Sequence, residues 1–370
     1  MTWTHRRAIL LAATLVAAVA IGGTAVAVAV HRYGVPQEDL LGEAGATPAA
    51  TTASPTPSPT PPPGARITGP LNILLVGVDT RESVPGWEPH SDSVVVMHVD
   101  ETLGSAYLTS LPRDLVVDIP AFPKANFPGE RTKLTHAMSY GSRVPGDRQH
   151  PNTAQGFQLL AKTVSAYTGI KTFNAGAVLT FRGLRTLVDA VDGIDLYVDQ
   201  RTPSIHLQPN GKGRPPGGDH GYSGPKMVYE KGNRHLVGWQ ALDFARQRYL
   251  PGGDYTRQRH HQQVIAALIR KIFSFDVVAN PVKLDAVLHA IKAGFTFDGR
   301  GYTVADWAYA LRNLRPENLT MVALPGGGVG SGGGYRGERL EPVAKDYFKA
   351  VRGDAVAGFV ATHPKLVVKR

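Results

Sequence analysis

The chain has 370 residues, 42% of them hydrophobic, enough for one large core or two ordinary ones, so disorder throughout is excluded. It contains no cysteine, which excludes a disulfide scaffold, a thiolate zinc site, an iron–sulfur cluster and a cysteine nucleophile. The excess of 40 Lys and Arg over 30 Asp and Glu gives a net charge of +10 and suits an anionic partner.

At the N-terminus, His5-Arg6-Arg7 precede an uncharged stretch from Ala8 to Val30, closed by His31-Arg32. At 1.5 Å per residue such a helix spans a hydrocarbon core of about 30 Å. It is longer than the apolar region of a signal peptide, roughly 7 to 15 residues, so an uncleaved anchor is predicted. Ala25-Val26-Ala27 has the form of a cleavage site and keeps the rival reading open. Arg6 and Arg7 place the N-terminus in the cytoplasm. The expectation is a single-pass cell-membrane protein whose C-terminal domain is extracytoplasmic, which disfavours nucleic acid as a partner. Residues 1–32 form this tail and anchor. Residues 33–69 read as a linker, because Thr47 to Gly64 is rich in proline and threonine and has no charged or aromatic side chain with which to build a core.

Asn72-Ile-Leu-Leu-Val-Gly-Val78, Ser93 to Val99 and Ala106 to Leu111 are apolar runs of buried-strand length. Thr153 to Tyr167 carries Phe157, Leu160 and Val164 at helical spacing behind a Thr153 cap, and Phe181 to Val191 repeats the pattern. Strands at Asn174 to Leu179, Ile194 to Val198 and Leu319 to Leu324 are predicted to alternate with helices at Gly238 to Gln247, Arg257 to Phe273 and Val304 to Leu314. The expected fold is α/β, one central sheet covered by helices on both faces. Pro325 to Tyr335 contains a formal Gly-x-Gly-x-x-Gly, but no apolar helix follows, so it reads as a flexible loop.

Charges gather at the ends of these elements. Asp79 and Arg81 follow the first strand, Asp92 precedes the second, and Arg113 follows the third. An antiparallel meander brings all four to one sheet edge. Two close carboxylates repel unless a cation lies between them, and oxygen ligands suit Mg²⁺ completed by phosphate oxygens, while guanidiniums hold the remaining phosphate oxygens bidentately. In the second cluster, 100° per residue puts Arg246 near Trp239 and Leu242, the face expected to be buried, and Arg257 on the apolar side at a helix N-terminus. An inward arginine needs a carboxylate or a bound anion, and pairing with Asp243 and Asp254 is the purely structural alternative. His260 and His261 diverge by about 100°, which argues against a shared metal and for packing roles. The Trp87 loop is placed to shape the mouth of the site.

Six runs then resemble one family. They are Asn72-Ile-Leu-Leu-Val-Gly-Val-Asp-Thr-Arg81, Ser91-Asp-Ser93, Leu111-Pro-Arg-Asp114, Lys133-Leu-Thr-His-Ala-Met-Ser-Tyr-Gly141, Leu187-Val-Asp-Ala-Val-Asp-Gly-Ile-Asp195, and Gln240-Ala-Leu-Asp-Phe-Ala-Arg-Gln-Arg248 continuing to Gly253-Asp-Tyr-Thr-Arg257. In order and spacing they are similar to the LytR-CpsA-Psr family of cell-wall glycopolymer ligases, over roughly residues 70 to 275. The resemblance implies an α/β/α sandwich that binds a glycopolymer on a polyprenyl pyrophosphate, with the lipid in an apolar cleft and Mg²⁺, or Mn²⁺ in its place, at the pyrophosphate. It implies transfer of the polymer phosphate to a peptidoglycan hydroxyl, the C6 hydroxyl of N-acetylmuramic acid, with release of polyprenyl phosphate. Position by position, Asp79 and Asp92 are the implied metal ligands, and Arg81, Arg113, Arg246, Arg248 and Arg257 the pyrophosphate clamp, joined by Lys133. Arg113, Arg246 and Arg257 are the expected catalytic cations, and Asp254 is the candidate base for the acceptor hydroxyl. The chain departs from the family pattern after Thr256, where Arg257 is followed by Arg259, His260 and His261. On this reading residues 70–275 are the catalytic domain and 276–370 a C-terminal α/β extension packed on it. A polyprenyl-pyrophosphate hydrolase and a non-catalytic regulator that binds wall polymer are the competing function classes.

Overall fold

The structure is a computed structural model that describes residues 36–47, 64–80, 84–272, 283, 286–287, 289–290, 294–330 and 334–368. The predicted anchor, most of the predicted linker and Arg81 lie outside the described residues. No described helix is long and apolar enough to cross a membrane. The chain divides into two compact units, Met1–Thr180 with Phe295–Val368, and Phe181–Gly294.

In chain order the first unit begins with β1 (Leu71–Asp79), β2 (His90–Val99), β3 (Ala106–Leu111), β4 (Val116–Ile119), β5 (Glu130–Lys133), α1 (Thr135–Ser142), α2 (Thr153–Thr168) and β6 (Ala175–Thr180). The second unit holds α3 (Phe181–Ala190), β7 (Ile194–Val198), β8 (Thr202–Pro203), β9 (Val228–Tyr229), β10 (Gly232–Leu236), α4 (Gly238–Arg246) and α5 (Gly253–Ile272). The chain then returns to the first unit with β11 (Phe295–Asp298), α6 (Val304–Ala310), β12 (Leu319–Val322), β13 (Gly326–Val329), β14 (Gly337–Leu340), α7 (Val343–Arg352) and α8 (Val356–Thr362).

The first unit is built on a mixed six-stranded sheet in the order β11-β6-β1-β2-β3-β12. The meander is present: β1 pairs antiparallel with β2, and β2 with β3. β6 and β12 run parallel to β1 and β3, and β11 antiparallel to β6. All six residues of β3 are buried, as a strand covered on both faces requires, and the continuous apolar sequence reflects that. Helices lie against each face. Leu74, Val96, Thr109 and Gly176 share one side through the register. There a Cβ on Gly176 would meet Phe157 of α2 at 3.1 Å, and Thr109 Oγ1 donates to the Tyr347 hydroxyl of α7. On the other side Phe297 of β11, in line with Ala177 and Leu75, meets Trp307 of α6 edge to face at 6.3 Å. Phe157 and Trp307 are almost wholly buried, each contributing about 2–3 kcal/mol of apolar transfer.

Several boundaries differ from the sequence reading. Helix α2 is capped by Asn152, whose Oδ1 accepts from the Gln155 amide at 2.8 Å, and Thr153 is its first residue. β7 is not a strand of the main sheet, for it pairs antiparallel with β10 in a two-stranded sheet of the second unit. Within the glycine-rich stretch, Gly326–Val329 forms β13 and pairs antiparallel with β14. Residues beyond 290 supply both edge strands of the main sheet, β11 and β12.

Candidate functional site

At one end of the main sheet the backbone itself sets up a charged cluster. In the β1–β2 pair Gly77 is opposite Ser93 and Val78 opposite Ser91, so Asp92 is the extra residue of a β-bulge. Bulges re-aim a side chain, and this one lies inside β2, which begins at His90, two residues ahead of Asp92. Asp79 closes β1 opposite His90, and its carbonyl accepts from Trp87 Nε1 at 3.1 Å, which pins the Trp87 loop to this edge. Arg113, just past β3, donates through Nη1 to Asp92 Oδ1 and through Nε to Asp114 Oδ1 at 3.2 Å.

Lys133 reaches the same place from another strand pair. β4 and β5 are in register with Val116 opposite Lys133, and Lys133 Nζ donates to Asp114 Oδ2 at 3.2 Å. The backbone closes the loop, because the Thr135 amide donates to the Arg113 carbonyl at 2.8 Å and the Leu134 amide to the Leu115 carbonyl at 2.8 Å. Thus Asp92, Arg113, Asp114 and Lys133 form one alternating chain of charge. Burial alone raises the Asp114 carboxyl, but Arg113 and Lys133 outweigh it and hold the group below the usual carboxylate range. The Thr135 hydroxyl beside this chain is buried with no hydrogen-bond partner.

Two histidines border the cluster. The His90 Nδ1 lies 2.9 Å from the Glu88 carbonyl, an acceptor only, so that nitrogen carries a hydrogen. The His90 ring stands edge-on to His136 at 6.3 Å. Burial, together with His90 and Lys133, pushes His136 below its ordinary value and favours the neutral ring. Next to them is a cleft of about 600 Å³ lined by Glu88, Asn126, Arg143, Asp147 and Arg148. Arg143 is held by Glu88, Nε to Oε1 at 2.7 Å, and lies 4.4 Å over the Tyr140 ring.

In the second unit the predicted residues separate by burial. The buried face of α4 is Ala241, Phe244 and Ala245, not the Trp239 and Leu242 face, so Arg246 is only half-buried, with its guanidinium 5.1 Å over the Phe181 ring. Arg248 is exposed. Arg257 is 2% exposed and pairs with Asp254 on the first turn of α5, Nε to Oδ1 at 2.8 Å with Nη2 on the same oxygen, and Gln258 Nε2 donates to the other carboxylate oxygen at 3.1 Å. Asp243 is paired with neither arginine. It accepts from Ser204 Oγ at 3.0 Å, the Tyr229 hydroxyl at 2.8 Å and Gln247 Nε2 at 2.9 Å, while burial pushes its carboxyl up. His260 and His261 are both buried, as packing residues are. His260 stacks on Phe244 at 4.0 Å, and burial holds His261 well below its ordinary value. Arg259 pairs with Asp199, and there burial is outweighed by His260 and Arg259, so that Asp199 falls to about 2.

Sequence reasoning placed Asp92, Arg113 and Lys133 but did not single out Asp114, His90 or His136. The signal was adjacency: Asp114 follows Arg113, and His136 lies three residues beyond Lys133.

Comparison with known proteins gives a consistent picture. Residues 44–348 match the model of the LytR_cpsA_psr family. The polyisoprenyl-teichoic acid–peptidoglycan teichoic acid transferase TagU of Enterococcus faecalis is 28% identical over 262 residues, 70% of this chain and 73% of that one. The cell wall biosynthesis protein LcpA of Corynebacterium glutamicum is 25% identical over 294 residues, covering 74% and 53%. Among solved structures, B. subtilis TagV aligns over 78% of this chain and 98% of its own, with a TM-score of 0.56 and 20% identity. TagT bound to LI-WTA aligns over 77% and 90%, with a TM-score of 0.53 and 20% identity. At these identities the structural likeness is one of fold.

Proposed function

Because the chain belongs to the LytR-CpsA-Psr family, we propose that it is a membrane-anchored, extracytoplasmic phosphotransferase. It moves an anionic, teichoic-acid-like glycopolymer from a polyprenyl pyrophosphate carrier to a peptidoglycan hydroxyl. The 23-residue uncharged segment from Ala8 to Val30 supports the anchor. The observation that carries the chemistry is the Asp92–Arg113–Asp114–Lys133 chain at the sheet end, which holds two cations rigidly while leaving them partly accessible.

In this reading the acceptor oxygen attacks the phosphorus that bears the sugar, and the phosphoanhydride breaks to release polyprenyl phosphate. Such a transition state demands positioning and charge stabilisation more than covalent help from the protein. Arg113 and Lys133 take phosphate oxygens and stabilise charge on the leaving phosphate. Within the second unit Arg246 and Arg248 are proposed phosphate ligands, and Arg257 with Asp254 forms a neutralised pair. Asp79 and Asp92, oxygen-only donors ending β1 and bulging from β2, suit Mg²⁺, which would neutralise phosphate charge when bound. The candidate for taking the acceptor proton is His136, kept neutral by burial, while Asp254 is engaged by Arg257 and Gln258. The cleft along Glu88, Arg143 and Asp147, with Val144 and Pro145 in its wall, has the volume and hydrogen-bonding groups for a glycan acceptor.

Incubation of the protein with a lipid-linked glycopolymer, with and without peptidoglycan fragments, tests this. Polymer joined to peptidoglycan, with little free phosphate-terminated glycan, is expected. Release of free glycan at the same rate with or without acceptor would replace the ligase by a hydrolase.

A further inference from the structure

The glycine-rich β13–β14 hairpin touches the charged cluster, and the contact is specific. The Tyr335 ring lies 4.9 Å from Lys133 Nζ, within the range of a cation–π interaction. The Tyr335 hydroxyl donates to Glu338 Oε1 at 2.8 Å, and Glu338 is itself only 8% exposed. The Glu338 amide donates to the Asp114 carbonyl at 2.7 Å, which fastens β14 to the segment that carries Arg113 and Asp114. Gly337 makes that approach feasible: its φ is +140°, and a Cβ there would meet the Asp114 carbonyl oxygen at 2.3 Å. One ring is therefore anchored by a buried carboxylate against the lysine whose other partner is Asp114.

We propose that Tyr335, fixed by Glu338, is a positioning residue for Lys133, a platform that restricts the ammonium to the side of Asp114 from which it meets a diphosphate. This rests on the reading of Lys133 as a phosphate ligand and extends it to residues outside the 70–275 region. A free lysine side chain loses considerable rotamer entropy when it binds an anion. A face of negative π density that already confines the ammonium removes part of that cost without neutralising the charge.

The test uses the full chain in detergent micelles, with Mg-pyrophosphate as the probe in calorimetric titration and ¹³C-dimethylated lysines observed by NMR. Lys133→Met assigns the Lys133 resonance, which the ring should displace upfield. Tyr335→Ala is expected to abolish that displacement and weaken pyrophosphate binding about three- to tenfold. Tyr335→Phe, which keeps the ring but loses the Glu338 hydrogen bond, should retain the upfield displacement in part and bind between wild type and Tyr335→Ala, and Tyr335→Ala should cost nothing further in a Lys133→Met background. Wild-type binding that Tyr335→Ala leaves unchanged, or a Tyr335→Ala loss equally large without Lys133, overturns the positioning role alone. A wild-type protein with the displaced resonance but no affinity for pyrophosphate overturns the phosphate-site reading, and the proposal with it.

Discussion

The two units handle charge in opposite ways. In the first, Arg113, Asp92, Asp114 and Lys133 keep between 12% and 26% of their side-chain surface exposed, and every charge is shared with a neighbour at the end of a sheet. In the second, Arg257 and Asp254 are 2% and 11% exposed and satisfy each other. Asp243 there is closed off by three uncharged donors. A deeply buried pair is costly to break and offers little to a ligand, whereas a partly exposed chain of shared charges can exchange a partner for phosphate at smaller cost. Conversion to alanine should therefore cost mainly stability at Arg257 and mainly turnover at Arg113 or Lys133.

The largest stability effect is expected at Arg257. Arg257→Ala leaves Asp254, 11% exposed, without its guanidinium partner and with Gln258 Nε2 as its remaining side-chain donor, and should lower stability by about 3 kcal/mol in urea denaturation. Unchanged stability with lost transfer would move Arg257 from the structural side of the comparison to the catalytic one.

Acid comes next. Asp199 has a carboxyl lowered to about 2, against 3.8 in an unfolded chain. Its folded form binds the proton less readily, so its contribution of about 2 kcal/mol is complete above 3.8 and is lost as pH falls towards 2. Asp199→Asn should flatten that part of the acid-unfolding curve, and an unaltered curve would show that Arg259 and His260 do not stabilise the carboxylate.

The smallest effect is a titration. His136 is expected to titrate below its ordinary 6.5 in an NMR pH series and to rise when pyrophosphate adds negative charge beside Lys133. A midpoint at or above 6.5 would mean that the cluster is more hydrated than its burial indicates.

Much of this was legible in the sequence, unevenly. β1 to β3 were visible because a central strand buried on both faces is a continuous apolar run, and the meander followed from their short connections. The edge strand β11 was not placed in the sheet, because a partner more than a hundred residues away leaves no periodic signal, whereas the apolar run at Leu319 was read as a strand and forms β12. The charge of the cluster could be read from the ends of the strands, but the bulge could not, since a register shift in the β1–β2 pair is not written in either strand alone. The face of α4 was misjudged because Trp239 and Leu242 are apolar yet only half-buried, while small Ala241 and Ala245 fill the core. Tyr335 escaped notice because glycines surround it, and its meaning depends on Lys133, about two hundred residues earlier.

The most direct measurement is turnover of lipid-linked glycopolymer onto peptidoglycan by Arg113→Ala, with its unfolding midpoint taken in parallel. The account predicts that transfer falls by about a hundredfold or more while stability falls by less than the roughly 3 kcal/mol expected for Arg257→Ala, since Arg113 keeps 16% of its side chain exposed where Arg257 keeps 2%. Turnover retained at the wild-type rate, in a protein equally stable, would contradict it.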